Sequence, residues 1–493
     1  MITTTPDHSF DEWVERETAT AAMVPLIDSL YRRRNVVTTI HGRRLVNQST
    51  SALLKLHRYA RHLDGVELDP HAVLPILQAL TTLDLGPSII DVAELQEQVS
   101  GSANDDLLEA LRDHLEPIMG TSGRSQPPVD VVLYGFGRIG RLVARILLSR
   151  AGGAYGLRLR AVVVRSRGSE DLIKRASLLR RDSIHGPFEG TITVDETAQT
   201  ITANGTVISV ISADDPAAID YTAYGIRDAI LVDNTGARRD RIGLESHLSA
   251  RGVAKVLLTA PGKGDVPNIV HGVNDREIDQ QRIVAAASCT TNAVTPVLAA
   301  IDRRFGIRHG HIETVHSFTN DQNLTDNFHR ADRRGRSAAV NMVIAETGAA
   351  RAVATAYPAL AGKLTGNAIR VPTPDVSLAV LALELAEPVS RAALNEYLRD
   401  ISLRSDLRRQ VDYVESPEIV SSDQLGARKA GVVDGLATIA NGTERVVVYV
   451  WYDNEYGYSR QVVRVLESMA GPGLPTFPRS ARVTQSSAPE LTR

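Results

Sequence analysis

Val129 to Tyr134 reads as a short buried-type strand, and it is followed by Gly135-Phe136-Gly137-Arg138-Ile139-Gly140, three glycines at G-x-G-x-x-G spacing. An apolar helical pattern then runs from Ile139 to Leu148, and a second strand-like run from Leu159 to Val164. Strand, glycine turn, helix and strand make a βαβ unit, which requires a parallel sheet covered by helices. Each glycine has a steric task in that setting. Gly135 permits the tight turn, Gly137 lets backbone approach a pyrophosphate, and Gly140 lets helix pack on strand. The chain is therefore expected to bind a dinucleotide.

Which dinucleotide depends on the end of the second strand, where an Asp or Glu would bind the adenine ribose hydroxyls of NAD. The sequence there is Val164-Arg165-Ser166-Arg167-Gly168. Without a carboxylate, repulsion of a 2′-phosphate disappears, and Arg165 or Arg167 with Ser166 can bind it. NADP is favoured; NAD remains possible if these arginines are only solvated loop charges.

A chain of 493 residues exceeds one ordinary core. Residues 1–126 read as a helical extension, with apolar spacing in Leu53, Leu56, Ala60 and Leu63 and again in Leu107, Leu108, Leu111 and Leu115. A linker rich in Gly, Ser and Pro ends it. Residues 127–288 form the dinucleotide-binding part, with further strands at Ala229–Asp233, Ala254–Thr259 and Ile283–Ala287. From Cys289 longer strands (Ile312–Phe318, Ser377–Glu384, Arg445–Tyr452) alternate with helices, as in an α+β domain over 289–452. A closing helix within 453–470 is expected to return to the dinucleotide-binding domain, and the Pro/Ser/Thr-rich tail 471–493 reads as disordered. The fold class expected is thus an all-α N-terminal extension, an α/β dinucleotide-binding (Rossmann-like) domain and an α+β catalytic domain.

Lys and Arg total 55 against 58 Asp and Glu, a net charge of −3, which gives no reason to expect nucleic acid or an anionic membrane as partner. Met1 to Arg16 carries Asp7, Asp11, Glu12 and Glu15 with no apolar core, unlike a secretory signal. A single cysteine rules out an intramolecular disulfide and fits a reducing cytoplasm.

That cysteine, Cys289, lies between a strand-like run and a helical segment, in Ala287-Ser288-Cys289-Thr290-Thr291-Asn292. A helix N-terminus lowers a thiol pKa, and the thiolate is the attacking form. The competing reading is a buried space-filler. His316, near the end of a strand in Thr314-Val315-His316-Ser317-Phe318-Thr319-Asn320-Asp321-Gln322, becomes the candidate base beside it. Pro296 falls inside the helix after Cys289 and is expected to bend or shorten it.

These motifs, with Thr347-Gly348-Ala349-Ala350, Leu364 to Pro374 and Trp451-Tyr452-Asp453-Asn454-Glu455-Tyr456-Gly457-Tyr458, resemble glyceraldehyde-3-phosphate dehydrogenase over about Val129 to Ala470. Within that family the chain is similar to the long bacterial form with an N-terminal extension. The resemblance implies that Cys289 adds to the aldehyde of glyceraldehyde 3-phosphate, that His316 takes the proton, and that the thiohemiacetal yields hydride to the nicotinamide. Inorganic phosphate then attacks the thioester. It implies cofactor contacts from Gly137, Arg138 and Ile139 at the pyrophosphate, from Thr235, Gly236, Thr259 and Ala260 at later strand ends, and from Asn454 and Tyr458 at the nicotinamide. Thr319, Asp321 and Arg370 match the substrate-phosphate cluster; Ser288, Thr290, Thr347, Gly348 and Arg333 match the inorganic-phosphate cluster. Taken alone, each hydroxyl is more often a helix cap or a turn contact. The family also implies a homotetramer.

Two other functions stay open. Erythrose-4-phosphate dehydrogenase, a relative, hydrolyses its thioester. A regulatory or binding protein on the same fold is motivated by the basic run Lys55 to His62. Glycolytic and gluconeogenic directions are not separated by sequence.

Overall fold

The computed structural model describes residues 6–100, 104–121, 127–149, 156–165, 171–471 and 473–478, in two compact units. The larger unit holds two eight-stranded sheets. In the first the strand order is Ile283–Ala285, Val253–Leu258, Ala229–Asp233, Val129–Tyr134, Leu157–Val164, Thr206–Ser212, Thr200–Ala203, Ile192–Asp195. The first six pair parallel, and the last two turn back antiparallel. Val129–Tyr134 comes first in sequence yet lies centrally, so the chain leaves it towards Leu157–Val164 and later fills the other side. Its carboxyl end is a topological switch point, where such sheets open a crevice. Val131, Val132 and Leu133 are fully buried, because both faces of the strand are covered.

Helix Arg138–Leu148 covers one face through Val143, Ile146 and Leu147, which share a core with Val462, Val465, Leu466 and Met469 of the last helix, Tyr456–Ala470. In the second sheet the order is Val343–Ala345, Leu364–Val371, Ile307–Ser317, Ser377–Leu385, Arg445–Tyr452, Gly431–Asp434, Val411–Val414, with Ile439–Ala440 beside Arg445–Tyr452. Helix Cys289–Phe305 lies on it, packing Val294, Val297, Leu298 and Ile301 against Ile312, Leu381 and Val448. It runs 17 residues through Pro296, so the expected shortening does not occur.

The smaller unit departs from the all-α expectation. Its helices, from Pro6–Arg34 to Asn104–Leu115, accompany a four-stranded sheet ordered Arg43–Arg44, Val36–Ile40, Ser88–Asp91, Thr476–Phe477. Val36-Val37-Thr38-Thr39-Ile40 is β-branched throughout and buried at every position, a composition suited to a strand. Thr476–Phe477 corrects the reading of the tail as well. Residues 473–478 return to the smaller unit, where Phe477 is 1% exposed and pairs parallel with Ile90. The rest of the expected disordered tail, like most of the linker, lies outside the described residues.

Candidate active site

The glycine loop takes the form its spacing requires. Gly135 has φ +93°, and a Cβ there would meet the Thr235 side chain at 2.9 Å. A Cβ on Gly140 would stand 2.4 Å from the Gly135 carbonyl oxygen, whereas one on Gly137 meets nothing within 4 Å. Gly137 therefore opens onto a cleft of about 810 Å³ lined by Tyr134, Arg165, Lys174, Thr235 and Arg238 among others. A helix start, an open glycine and cations at the strand ends fit a dinucleotide.

Arg138 begins the helix, but its guanidinium pairs with Asp182 and, at 2.6 Å, with Glu455. Only its backbone N–H is left to face a pyrophosphate. Ile139 packs against the core. Thr235 and Thr259 both bond to Asp233, and Ala260 lies 3.8 Å from the Cβ position of Gly236, so these four strand-end residues lie together. Arg165 lines the cleft, and its carbonyl accepts a bond from Arg175. Ser166 and Arg167 lie outside the described residues.

Cys289 is the first residue of its helix, and Ser288 is the N-cap, its oxygen accepting from the Thr291 N–H at 3.1 Å. Ala287 is held at φ +53°, a left-handed conformation rare for a residue with a side chain, and its carbonyl accepts from the Tyr458 hydroxyl at 3.0 Å. Tyr458 and Asn292 brace this turn, the latter donating to Ala286 and Ser288 carbonyls. The Cys289 Sγ comes within 3.6 Å of His316 Nε2.

Strand register completes the group. Ile307–Ser317 and Leu364–Val371 run parallel with His316 opposite Arg370. Arg370 Nη1 stands 2.9 Å from His316 Nδ1 and donates to the Ser317 carbonyl at 3.1 Å. Its Nε is buried without a hydrogen-bond partner, and the guanidinium makes no ion pair with a carboxylate among the described residues. Such a cation is prepared for an anion.

The electrostatics differ from the expected lowered thiol. Cys289 keeps part of its surface open, yet desolvation around the sulfur pushes its pKa up, against the lowering effect of Arg370 and of bonds from Thr290. Burial, then Arg370, pushes His316 down to about 3. Both shifts favour a neutral thiol beside a neutral imidazole.

Among the phosphate candidates, Thr319 bonds to Asp321, whose other oxygen pairs with Arg334 at 2.6 Å. Asp321 thus positions Thr319 and Arg334. Arg333, expected in the inorganic-phosphate cluster, is exposed, and its neighbour Arg334 adds a second positive charge near Arg370 and His316. Thr290 is buried with its hydroxyl 3.0 Å from that of Tyr452, and the Ser288 hydroxyl is 2.7 Å from that of Thr291. Thr347 and Gly348 begin helix Ala349–Ala356 and line another cleft of about 690 Å³, with Arg351 and Leu364. Asn454 accepts at Oδ1 from both Ser317 and Ser377 at 2.8 Å, which fixes the orientation of its amide.

Sequence reasoning missed Ser377, Tyr452 and Arg334. Ser377 and Tyr452 are register partners on adjacent strands and were indistinguishable from alternating strand positions until paired.

A switch-point crevice and a cysteine–histidine pair within one unit define a dinucleotide-binding oxidoreductase. A family model described as the NAD binding domain of glyceraldehyde 3-phosphate dehydrogenase matches residues 129–241, and one for its C-terminal domain matches residues 288–454. A glyceraldehyde-3-phosphate dehydrogenase-like protein of Pseudomonas aeruginosa is 57% identical over 465 residues, 93% of this chain and 100% of the relative. Glyceraldehyde-3-phosphate dehydrogenase 1 of Bacillus subtilis is 38% identical over 348 residues, 70% of this chain and 99% of the relative. The chloroplastic enzyme GAPA1 of Arabidopsis thaliana is 38% identical over 360 residues, 71% of this chain and 87% of the relative. The chain belongs to the glyceraldehyde-3-phosphate dehydrogenase family.

Proposed function

We propose that this protein catalyses the phosphorylating oxidation of glyceraldehyde 3-phosphate to 1,3-bisphosphoglycerate, and the reverse, with NADP favoured and NAD accepted. The observation that carries this is the line Cys289 Sγ, His316, Arg370, with separations of 3.6 and 2.9 Å. The Cys289 thiol attacks the aldehyde carbon as its proton passes to His316 Nε2. The resulting imidazolium donates from Nδ1 to the Ser317 carbonyl, 2.7 Å away. A substrate phosphate at Arg370 offsets the cation that depresses His316, so substrate binding itself raises the base's proton affinity.

The oxyanion is stabilised by the Cys289 N–H, one of the first-turn donors with no intrahelical acceptor, and by His316. The bound nicotinamide supplies the hydride acceptor. Asn454, with Oδ1 held by two serines, turns its Nδ2 to the carboxamide. Arg165 supports the NADP preference from the wall of the dinucleotide cleft. Exposed apolar side chains at Leu324, Phe328, Val340, Met342 and Ile344 support association into a homotetramer. Among the described residues no helix is long and apolar enough to cross a membrane, and we place the enzyme in the cytoplasm.

Hydrolysis of the thioester, as in erythrose-4-phosphate dehydrogenase, is a second reading. It draws on the Ser288 and Thr290 hydroxyls, which are engaged with Thr291 and Tyr452 rather than presented to a phosphate. Steady-state rates with glyceraldehyde 3-phosphate, with and without phosphate and with each dinucleotide, decide the matter. The first reading requires phosphate-dependent turnover, and a rate indifferent to phosphate replaces it with the second.

A further inference from the structure

Beneath the glycine loop lies a buried set of charges that the reaction does not consume. His185 Nε2 sits 3.2 Å from Asp375 and 3.5 Å from Glu455, and its Nδ1 is 4.0 Å from Asp453. Its side chain is 6% exposed, those of Asp375 and Asp453 0%. The His185 backbone N–H donates to Asp182, which pairs with Arg138, and Arg138 pairs in turn with Glu455. A run of alternating charges from Asp182 through Arg138 and Glu455 to His185, closed by the His185 backbone N–H on Asp182, therefore joins the start of the glycine-loop helix to the segment Asp453-Asn454-Glu455.

A bound metal ion is a poor account of this set. Asp453 already accepts at Oδ1 from the backbone N–H groups of Glu455, Tyr456 and Gly457 and at Oδ2 from that of Gly426, which leaves little of the carboxylate for an ion. The surrounding carboxylates hold His185 protonated, with its pKa raised to about 9 against the cost of burial, so the imidazolium supplies the positive charge.

One arm of the Asn454 clamp and the residue that follows Asn454 both lead back to this cation. Asp375 accepts from the Val376 N–H and fixes that residue at φ +64°, immediately before Ser377, whose hydroxyl is on Asn454. Glu455 follows Asn454 directly. We propose that His185 is a positioning residue: by bridging Asp375 and Glu455 it holds Asn454 in the orientation that receives the nicotinamide carboxamide. The proposal rests on the carboxamide role of Asn454 given above.

Calorimetric binding to the full chain tests it, comparing NADP with 2′-phospho-ADP-ribose, which lacks the nicotinamide. His185→Gln is expected to weaken NADP about tenfold, the worth of one oriented hydrogen bond, and to leave 2′-phospho-ADP-ribose unchanged. Asn454→Ala should show the same selectivity, and the double variant should bind no more weakly than Asn454→Ala alone. If His185→Gln does not fold, Asp375→Asn removes the same bridge. Equal loss for both ligands, or no loss beside a selective Asn454→Ala, overturns the proposal. An Asn454→Ala protein that binds NADP as tightly as the parent removes the carboxamide reading, and the proposal with it.

Discussion

Arg370 and His316 share one acceptor: the guanidinium Nη1 and the imidazole Nδ1, 2.9 Å apart, lie 3.1 and 2.7 Å from the carbonyl oxygen of Ser317. A cation so close to Nδ1 opposes a second proton on the ring, which is why Arg370 follows burial among the causes that depress His316. The same charge favours the Cys289 thiolate against desolvation. Arg370 thus acts on both members of the pair in the direction of proton loss.

Replacing Arg370 by Met is therefore expected to raise the His316 pKa and to raise the Cys289 pKa further. Alkylation of Cys289 by iodoacetamide, followed against pH, should show its midpoint move up and its rate at neutral pH fall. A midpoint that stays put or moves down contradicts the electrostatic role.

Cys289→Ser should lower dehydrogenase turnover by about 10³-fold or more, because a hydroxyl is far less acidic than a thiol and His316 is a weak base in the unliganded site. Dinucleotide binding, which uses the first sheet, should persist within about twofold. Substantial remaining turnover measured in a purified, cysteine-free protein would refute covalent catalysis.

The parts of the fold that sequence made legible share one property: residue type marks them locally. Val129–Tyr134 and Arg445–Tyr452 are legible as strands because each is a short run of mostly β-branched and aromatic apolar residues, whatever lies on its two faces. What was hidden depends on partners distant in sequence. Val36–Ile40 lies among strong helix patterns and is a strand because Ser88–Asp91 pairs with it. Thr476–Phe477 looks like disordered chain until its edge position on that sheet is known. In the site, Cys289 and His316 stand out by residue type, whereas the pairing of Arg334 with Asp321 depends on which side of a short turn faces that carboxylate.

Phe477→Ala tests whether the returning strand is structural. Its side chain is almost wholly buried in the core of the smaller unit, so truncation should cost about 3 kcal/mol, read from the denaturation midpoint of the full chain. The active-site residues belong to the other unit, so the kcat of the folded variant should be unchanged. A midpoint equal to the parent's would show that the segment contributes little.

Arg165→Ala tests the dinucleotide preference. A guanidinium bound to a 2′-phosphate makes a charge-assisted contact, so KM for NADP should rise about tenfold or more while KM for NAD stays within about twofold. Equal changes with both dinucleotides would assign Arg165 to general cleft electrostatics.

His185 makes a prediction about stability against pH. Asp375, Glu455 and Asp453 face it directly, Arg138 and Asp182 lie behind them, and the Tyr456 ring stands 5.7 Å away. Its pKa is raised in the folded chain from 6.5 to about 9, so the folded state binds the proton more tightly than the unfolded one. The resulting stabilisation is complete below about pH 6.5 and is lost as the pH rises through about 9. Asp453, raised from 3.8 to about 6, loses its own protonation-linked contribution in a lower window. Between pH 6.5 and 9 the Tm of the parent should therefore fall by a few degrees more than that of His185→Gln, on the order expected for a change of about 1 kcal/mol. Thermal unfolding of both proteins across that range at constant ionic strength measures the difference. Parallel Tm curves would mean that His185 does not carry the proton that stabilises the ring.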